Sequence, residues 1–385
     1  MKKISLLVIT FIFSLNVFAT PIVTPNAPEI GAKGYLLIDF NSGKVLAENN
    51  SEVRLAPASL TKMMTSYIIG QEIKSGNISP TDKVIISEKA WSKNFPDSSK
   101  MFIEVGKEVS VADLNRGIII QSGNDASVAM AEHIAGSESA FADLMNSWAV
   151  QLGMNNTRFE NSHGLHSTEH YTTPQDMAIL AKALINDVPD EYRIYSEKSF
   201  KFNGIDQTNR NSLLWDKSLN VDGIKTGHTE EAGYSLISSA TKDGMRLISV
   251  VMGTNSTSSR LTESKKLLNW GFRFFETLTP YNAGDQLASE RIWMGTQPMI
   301  RLGVKEDTPI TLAKGEAKNL NASFIIENEL RAPIEKGDVV GKVHYSVDDQ
   351  QVATYDLITL EAVEEGGLFS RLIDYIKLLF IGWFG

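Results

Sequence analysis

The apolar positions along this chain change their period several times, and each change marks an element. Gly34 to Asp39 is a short apolar run, Asn41-Ser42-Gly43 is turn chemistry, and Lys44 to Glu48 returns, which predicts a hairpin. Leu60, Met63, Met64, Tyr67 and Ile68 then fall at helical spacing. That helix opens at Ser59, runs to about Lys74 and ends at Gly76. Val111, Leu114, Ile118 and Ile119 predict a second helix, which stops at Ser122-Gly123-Asn124. Further helical patterns begin at Asp125, cover Ala140 to Leu152 and run from Met177 to Leu184, with a polar loop from Asn161 to Tyr171. Val221 to Gly227 reads as extended. Tyr234 to Thr241 and Met245 to Met252 are apolar runs joined by Asp243-Gly244, a strong hairpin signal. Residues 260–275 return to helical spacing. Strands at both ends of this stretch and helices between them predict one α+β domain, residues 29–277, whose ends share an antiparallel sheet.

Beyond Pro280 the pattern shortens. Ile300 to Val304, Ile310 to Leu312, Ser323 to Ile326, Val339 to Tyr345 and Val352 to Ile358 are β-like runs punctuated by glycine. They predict a small all-β domain over residues 281–363. The tail, 366–385, is different again. Leu368, Phe369, Leu372, Ile373, Ile376, Leu379, Phe380 and Trp383 share one broad helical face, with Arg371, Asp374 and Lys377 opposite. Such a terminal amphipathic helix is expected to lie in a membrane interface. It is too short and too charged to span a bilayer comfortably. At the other end, Lys2-Lys3, an apolar stretch from Ile4 to Val17 and Ala19 have the plan of a secretory signal peptide, residues 1–19. The expected location is therefore the periplasm, peripherally attached to the outer face of the cytoplasmic membrane.

Composition narrows the chemistry. A net charge of -9 argues against a nucleic-acid partner. With no cysteine there is no disulfide and no thiolate metal site. Three short motifs remain: Ser59-Leu60-Thr61-Lys62, Ser122-Gly123-Asn124 and Lys225-Thr226-Gly227. Each has an ordinary structural use as helix cap or edge-strand lysine. Together, in this order and at element boundaries, they match the set used by active-site-serine, penicillin-interacting enzymes. A serine and a lysine three apart share one helical face. The hydroxyl is a poor nucleophile until a base takes its proton, and a lysine becomes that base once burial and nearby positive charge neutralise it. Ser59 is then the nucleophile, Lys62 the base and Ser122 a proton relay, while Lys225 binds a substrate carboxylate. The backbone N–H groups of Ser59 and His228 are the candidates for the oxyanion. His166-Ser167-Thr168-Glu169-His170 has the spelling of an inverted zinc-protease motif. It lies in a polar loop rather than on the helix that motif needs, so no metal or other cofactor is expected. His133 sits in a helical pattern and reads as structural.

On these residues the chain resembles the low-molecular-mass penicillin-binding proteins of the D-alanyl-D-alanine carboxypeptidase type. The likeness extends to Lys33-Gly34-Tyr35-Leu36-Leu37-Ile38-Asp39, Pro57-Ala58-Ser59, His163-Gly164-Leu165, Asn209-Arg210-Asn211 with Leu213-Leu214-Trp215, and Val221-Asp222-Gly223-Ile224 ahead of Lys225-Thr226-Gly227-His228-Thr229. The resemblance implies a β-lactamase/transpeptidase-like fold, an antiparallel sheet packed between helices, followed by the small β domain and the terminal helix. It implies a serine carboxypeptidase that takes the terminal D-Ala from peptidoglycan stem pentapeptides and is inhibited by β-lactams. It adds Asn124, Thr226, Gly227, His228 and Arg210 as site-lining residues. Ser-Gly-Asn, where class A β-lactamases have Ser-Asp-Asn, points to the carboxypeptidase branch, and no deacylating glutamate of the β-lactamase kind is placed. The alternatives are a D,D-endopeptidase or β-lactamase on the same scaffold, and a non-catalytic penicillin-sensing or wall-binding protein. The tail argues against a β-lactamase, which needs no anchor. Intact Lys62, Ser122 and Lys225 argue against a non-catalytic protein.

Overall fold

The computed structural model describes residues 24–326 and 329–384; the expected signal peptide lies outside them. A five-stranded sheet organises the larger part of the chain. Its strands run in the order Val45–Asn49, Gly34–Asp39, Met245–Thr254, Gly233–Lys242 and Asn220–Thr229, every neighbour antiparallel. The two ends of this part of the chain do share the sheet, with Leu37 opposite Ser249. Alternation along Gly34–Asp39 splits its side chains between two cores. Tyr35 and Leu37 pack with Leu247, Leu267, Leu268 and Phe272, the last three from the Thr257–Phe274 helix. Leu36 and Ile38 pack with Met63, Tyr67, Met177 and Leu180 on the other face. Met245–Thr254 is buried along both faces, which is why it reads as a continuous apolar run.

The helix bearing the serine begins with a single 3-10 turn, Ala58–Thr61, and continues as an α-helix, Lys62–Lys74. Lys62 to Gly70 is buried on every side, as a helix threaded through a core must be. The stretch expected as one helix over Val111 to Ile120 is two segments: an α-helix, Val111–Arg116, and a wider π turn, Gly117–Gln121. The turn delivers Ser122 in the left-handed conformation, φ 65° and ψ 37°. Asn124–Ala135 follows directly.

In the small β region, a six-stranded sheet runs in the order Leu320–Ile326, Val339–Val347, Gln350–Thr359, Met299–Gly303, Gln286–Trp293 and Leu330–Arg331. One expected strand belongs elsewhere. Ile310–Ala313 does not join this sheet but pairs with Phe275–Leu278. Its Thr311 hydroxyl meets Ser42 Oγ at 2.6 Å, and Thr277 Oγ1 donates to buried Asp39 at 2.8 Å. This short pair therefore joins the two parts of the molecule. The tail forms the helix Leu368–Phe384. Asp374, on its polar face, is buried and accepts from Arg291 Nη2 at 3.1 Å and the Met294 N–H at 2.9 Å. Leu368, Phe369, Leu372, Ile373 and Ile376 are exposed. Among the described residues no helix is long and apolar enough to cross a membrane.

The Asn161 to Tyr171 loop packs beneath the Ser59 turn. Gly164 has φ +89°, and a Cβ there would stand 1.9 Å from the Ala58 carbonyl oxygen. Strain of about 1–3 kcal/mol is expected for a side chain held at such a φ, before the clash is counted. Gly164→Ala is therefore expected to lower the thermal midpoint, and an unchanged midpoint contradicts this close approach.

Candidate active site

Ser59 follows Ala58, whose φ of 49° is unusual for a residue with a side chain. It is half-buried at a cleft of about 640 Å³. Lys62, one turn on, has no exposed surface. Its Nζ donates to Ser59 Oγ at 3.2 Å, Asn124 Oδ1 at 2.7 Å and the His163 carbonyl at 2.5 Å. An ammonium has three protons for these three oxygens. A neutral amine keeps two. Both carbonyl oxygens can only accept, so the lone pair is left facing the one partner able to donate, the Ser59 hydroxyl.

Ser122 is buried, and its hydroxyl accepts from Lys225 Nζ at 2.9 Å. Lys225 also donates to the Thr226 carbonyl at 3.2 Å. Both lie on Asn220–Thr229, the edge strand of the sheet. Gly227 allows that strand to press on the serine turn, because a Cβ there would meet the Pro57 carbonyl at 2.9 Å. Thr226, Gly227, His228 and Arg210 line the cleft with Ser122 and Asn124. The structure thus brings all nine expected residues together: seven on the cleft surface, Ser59 among them, and the two lysines beneath it.

Other residues carry no signal in the sequence. Arg260, Tyr234 and Ser98 line the same cleft. Arg260 Nη1 donates to the Gly227 carbonyl at 3.3 Å, and His228 stacks on Tyr234 at 3.9 Å. Asn124 Nδ2 donates to Ser98 Oγ at 3.0 Å. Asp125 holds the adjoining segment through the N–H groups of Met101, Phe102 and Ile103, and takes its neighbour Ala126 as well. The histidines of the zinc-like spelling diverge. His166 pairs with Glu231, while the His170 ring is buried against Thr61 Oγ1 at 2.8 Å. His170 Nδ1 accepts from the Glu160 N–H, so Nε2 carries the proton given to Thr61.

Electrostatics follows from burial. Burial, then the Arg210 guanidinium, lowers Lys62 to about 7, with Asp125 opposing. Lys225 falls well below the usual lysine range, through burial first and then the charges of Lys62, Arg210 and Arg260. Burial and Lys62 hold His163 near 3, and burial holds His170 near 4, so both rings are neutral at pH 7. The guanidinium groups of Arg210 and Arg260 thus line a cleft above a lysine that loses its proton near pH 7.

Comparisons with known proteins place this geometry. The family described as D-alanyl-D-alanine carboxypeptidase matches residues 22–256, and that described as penicillin-binding protein 5, C-terminal domain, matches residues 275–365. The chain is 53% identical over 365 residues to D-alanyl-D-alanine carboxypeptidase DacA of Escherichia coli, covering 94% of this chain and 91% of that one. It is similar to the crystal structure of penicillin-binding protein 5 from Haemophilus influenzae, with TM-score 0.86 and 50% identity over 89% of this chain and all of that one. A more distant likeness is penicillin-binding protein D2 of Listeria monocytogenes in its cefotaxime-bound form, with TM-score 0.59 and 28% identity over 64% of this chain and 99% of that one.

Only the neutral amine of Lys62 can accept a proton, so acylation of Ser59 through it is expected to rise with pH through about 7 and to fall below it as the amine protonates. Rates of acylation by a fluorescent penicillin across pH 5 to 9 check this; a limb near the ordinary lysine value of about 10.4 contradicts it.

Proposed function

Because the chain belongs to the D-alanyl-D-alanine carboxypeptidase family, we propose that Ser59 is the nucleophile with which this serine peptidase removes the terminal D-Ala of peptidoglycan stem pentapeptides. The bond set around Lys62 Nζ carries this reading, since it leaves the lone pair only one direction. As Ser59 Oγ bonds to the penultimate D-Ala carbonyl carbon, its proton passes to Lys62. The N–H groups of Ser59 and His228 receive the oxyanion. Ser122, held by Lys225, relays a proton to the departing amine as the C–N bond breaks. Water then hydrolyses the ester, with Lys62 again the base.

The cationic side of the cleft suits the substrate's terminal carboxylate. Arg210 supplies charge, the Lys225 amine a hydrogen-bond donor and Thr226 a hydroxyl, while Asn124, Gly227 and His228 form the walls. An extended peptide can add to the open edge of the Asn220–Thr229 strand. A β-lactam follows the same first step, but its leaving amine stays tethered to the acyl group and cannot depart as D-Ala does, so these drugs act as inhibitors of the activity.

For the rest of the chain, the reading is an exported protein cleaved after residue 19, with a catalytic domain at 29–277, a β domain at 281–363 and an anchor at 366–385. The anchor would rest on the outer face of the cytoplasmic membrane. The outward apolar side chains of the terminal helix, and the inward Asp374, support that attachment.

Mass spectrometry of a pentapeptide precursor is expected to show loss of one alanine with the wild type. Ser59→Ala should lose at least about 10⁴-fold in rate and all penicillin labelling; stoichiometric labelling of another serine refutes the assignment. Removing residues 367–385 is expected to free the protein from membranes with its peptidase activity intact, and a truncated chain that still sediments with membranes contradicts the anchor.

A further inference from the structure

Glu138 lies outside the cleft lining and outside every motif read from the sequence. It opens the Glu138–Leu152 helix, where Ser137 caps the Ala140 N–H at 3.2 Å. Its Oε1 accepts from Ser162 Oγ at 2.9 Å and from the Ser162 N–H at 3.3 Å, and it stands 3.3 Å from His163 Nε2. The side chain is only 16% exposed, so these contacts are largely shielded from water. Ser162 is fully buried, and its carbonyl accepts from Thr65 Oγ1 at 2.6 Å. The next carbonyl, that of His163, is the one that accepts from Lys62. It belongs to the peptide leading into Gly164, whose N–H is tied to Asn161 Oδ1 at 2.6 Å. One carboxylate oxygen thus grips the two residues that carry the lysine's carbonyl acceptor.

We propose that Glu138 is a positioning residue for the Lys62 base, holding the Ser162–His163 turn so that the His163 carbonyl takes one amine proton and the lone pair stays on Ser59. This deepens the reading above and rests on Lys62 being the base. A carbonyl that drifts leaves the amine free to turn, and a misplacement of about 1 Å at such a site costs up to roughly 10²-fold in rate. The drift also withdraws an acceptor from the ammonium form, which moves the acid limb to lower pH. The charged and titratable groups facing Lys62 are Arg210, Lys225, Asp125, His163 and His170, and a change at Glu138 deletes none of them.

Two variants of the full chain separate holding from charge. Glu138→Gln removes the charge but keeps an oxygen for Ser162. Glu138→Ala removes both. With acylation by fluorescent penicillin measured from pH 5 to 9, Glu138→Ala should lose roughly ten- to a hundredfold at the plateau, with its acid limb shifted to lower pH. Glu138→Gln should stay close to wild type in both. An alanine variant with wild-type plateau and limb overturns the proposal. So does a glutamine variant as slow as the alanine one. A loss confined to the titrated active fraction, with normal rate and limb in the remainder, also overturns it. Lys62→Ala in the same series separates the two claims. If it acylates at the wild-type rate, the base assignment fails and this proposal with it. If it is inactive while Glu138→Ala is normal, only the role of Glu138 fails.

Discussion

An amine buried without a charged partner is the constraint this molecule is built around. The three hydrogen-bond acceptors of Lys62 are a hydroxyl, a side-chain amide and a backbone carbonyl, none of them an anion. The fall from 10.5 to about 7 corresponds to roughly 5 kcal/mol set against the charged form. A carboxylate in contact would cancel that shift and leave a plain ion pair. Asp125 is close enough to oppose it, yet its oxygens are occupied by backbone N–H groups. That carboxylate organises a loop rather than neutralising the amine. The guanidinium of Arg210 pushes in the same direction as burial.

Three separate stretches meet at this amine, which explains the shape of the fold. The sheet supplies an edge strand, the core helix supplies the serine and lysine, and the π turn supplies the second serine. Glycines at 164 and 227 are where these parts approach most closely. The joint formed by Asp39, Thr277 and Thr311 ties the β region to this body through side-chain hydroxyls, and Phe275 of the same strand pair packs on one core of that body.

Much of this was legible in the sequence because it depends on local period. The helical spacing from Leu60 to Ile68, the Asp243-Gly244 hairpin and the stop at Ser122 are short-range signals, and the structure has each of them. The pairing of Ser59 with Lys62 is of the same kind, three residues apart. What the period does not report is who meets whom across a hundred residues. The His163 carbonyl on Lys62 and Glu138 on Ser162 have no spelling. Ile310–Ala313 reads as one more strand of the small sheet, because pairing partners are set by tertiary packing. Gln286–Trp293 gives no strand signal in the sequence, since its polar residues, Gln286, Ser289 and Glu290, resemble a loop.

The left-handed backbone at Ser122 has a consequence for what mutation can do there. A residue with a side chain is strained by about 1 kcal/mol or more in that conformation, and glycine is not. Glycine would also loosen the unfolded chain by a comparable amount. The two terms nearly offset, so the backbone gives folding little preference between serine and glycine at this position. What separates the two residues is the buried hydroxyl and the bond it accepts from Lys225, so a costly backbone conformation is kept for the sake of one side-chain contact.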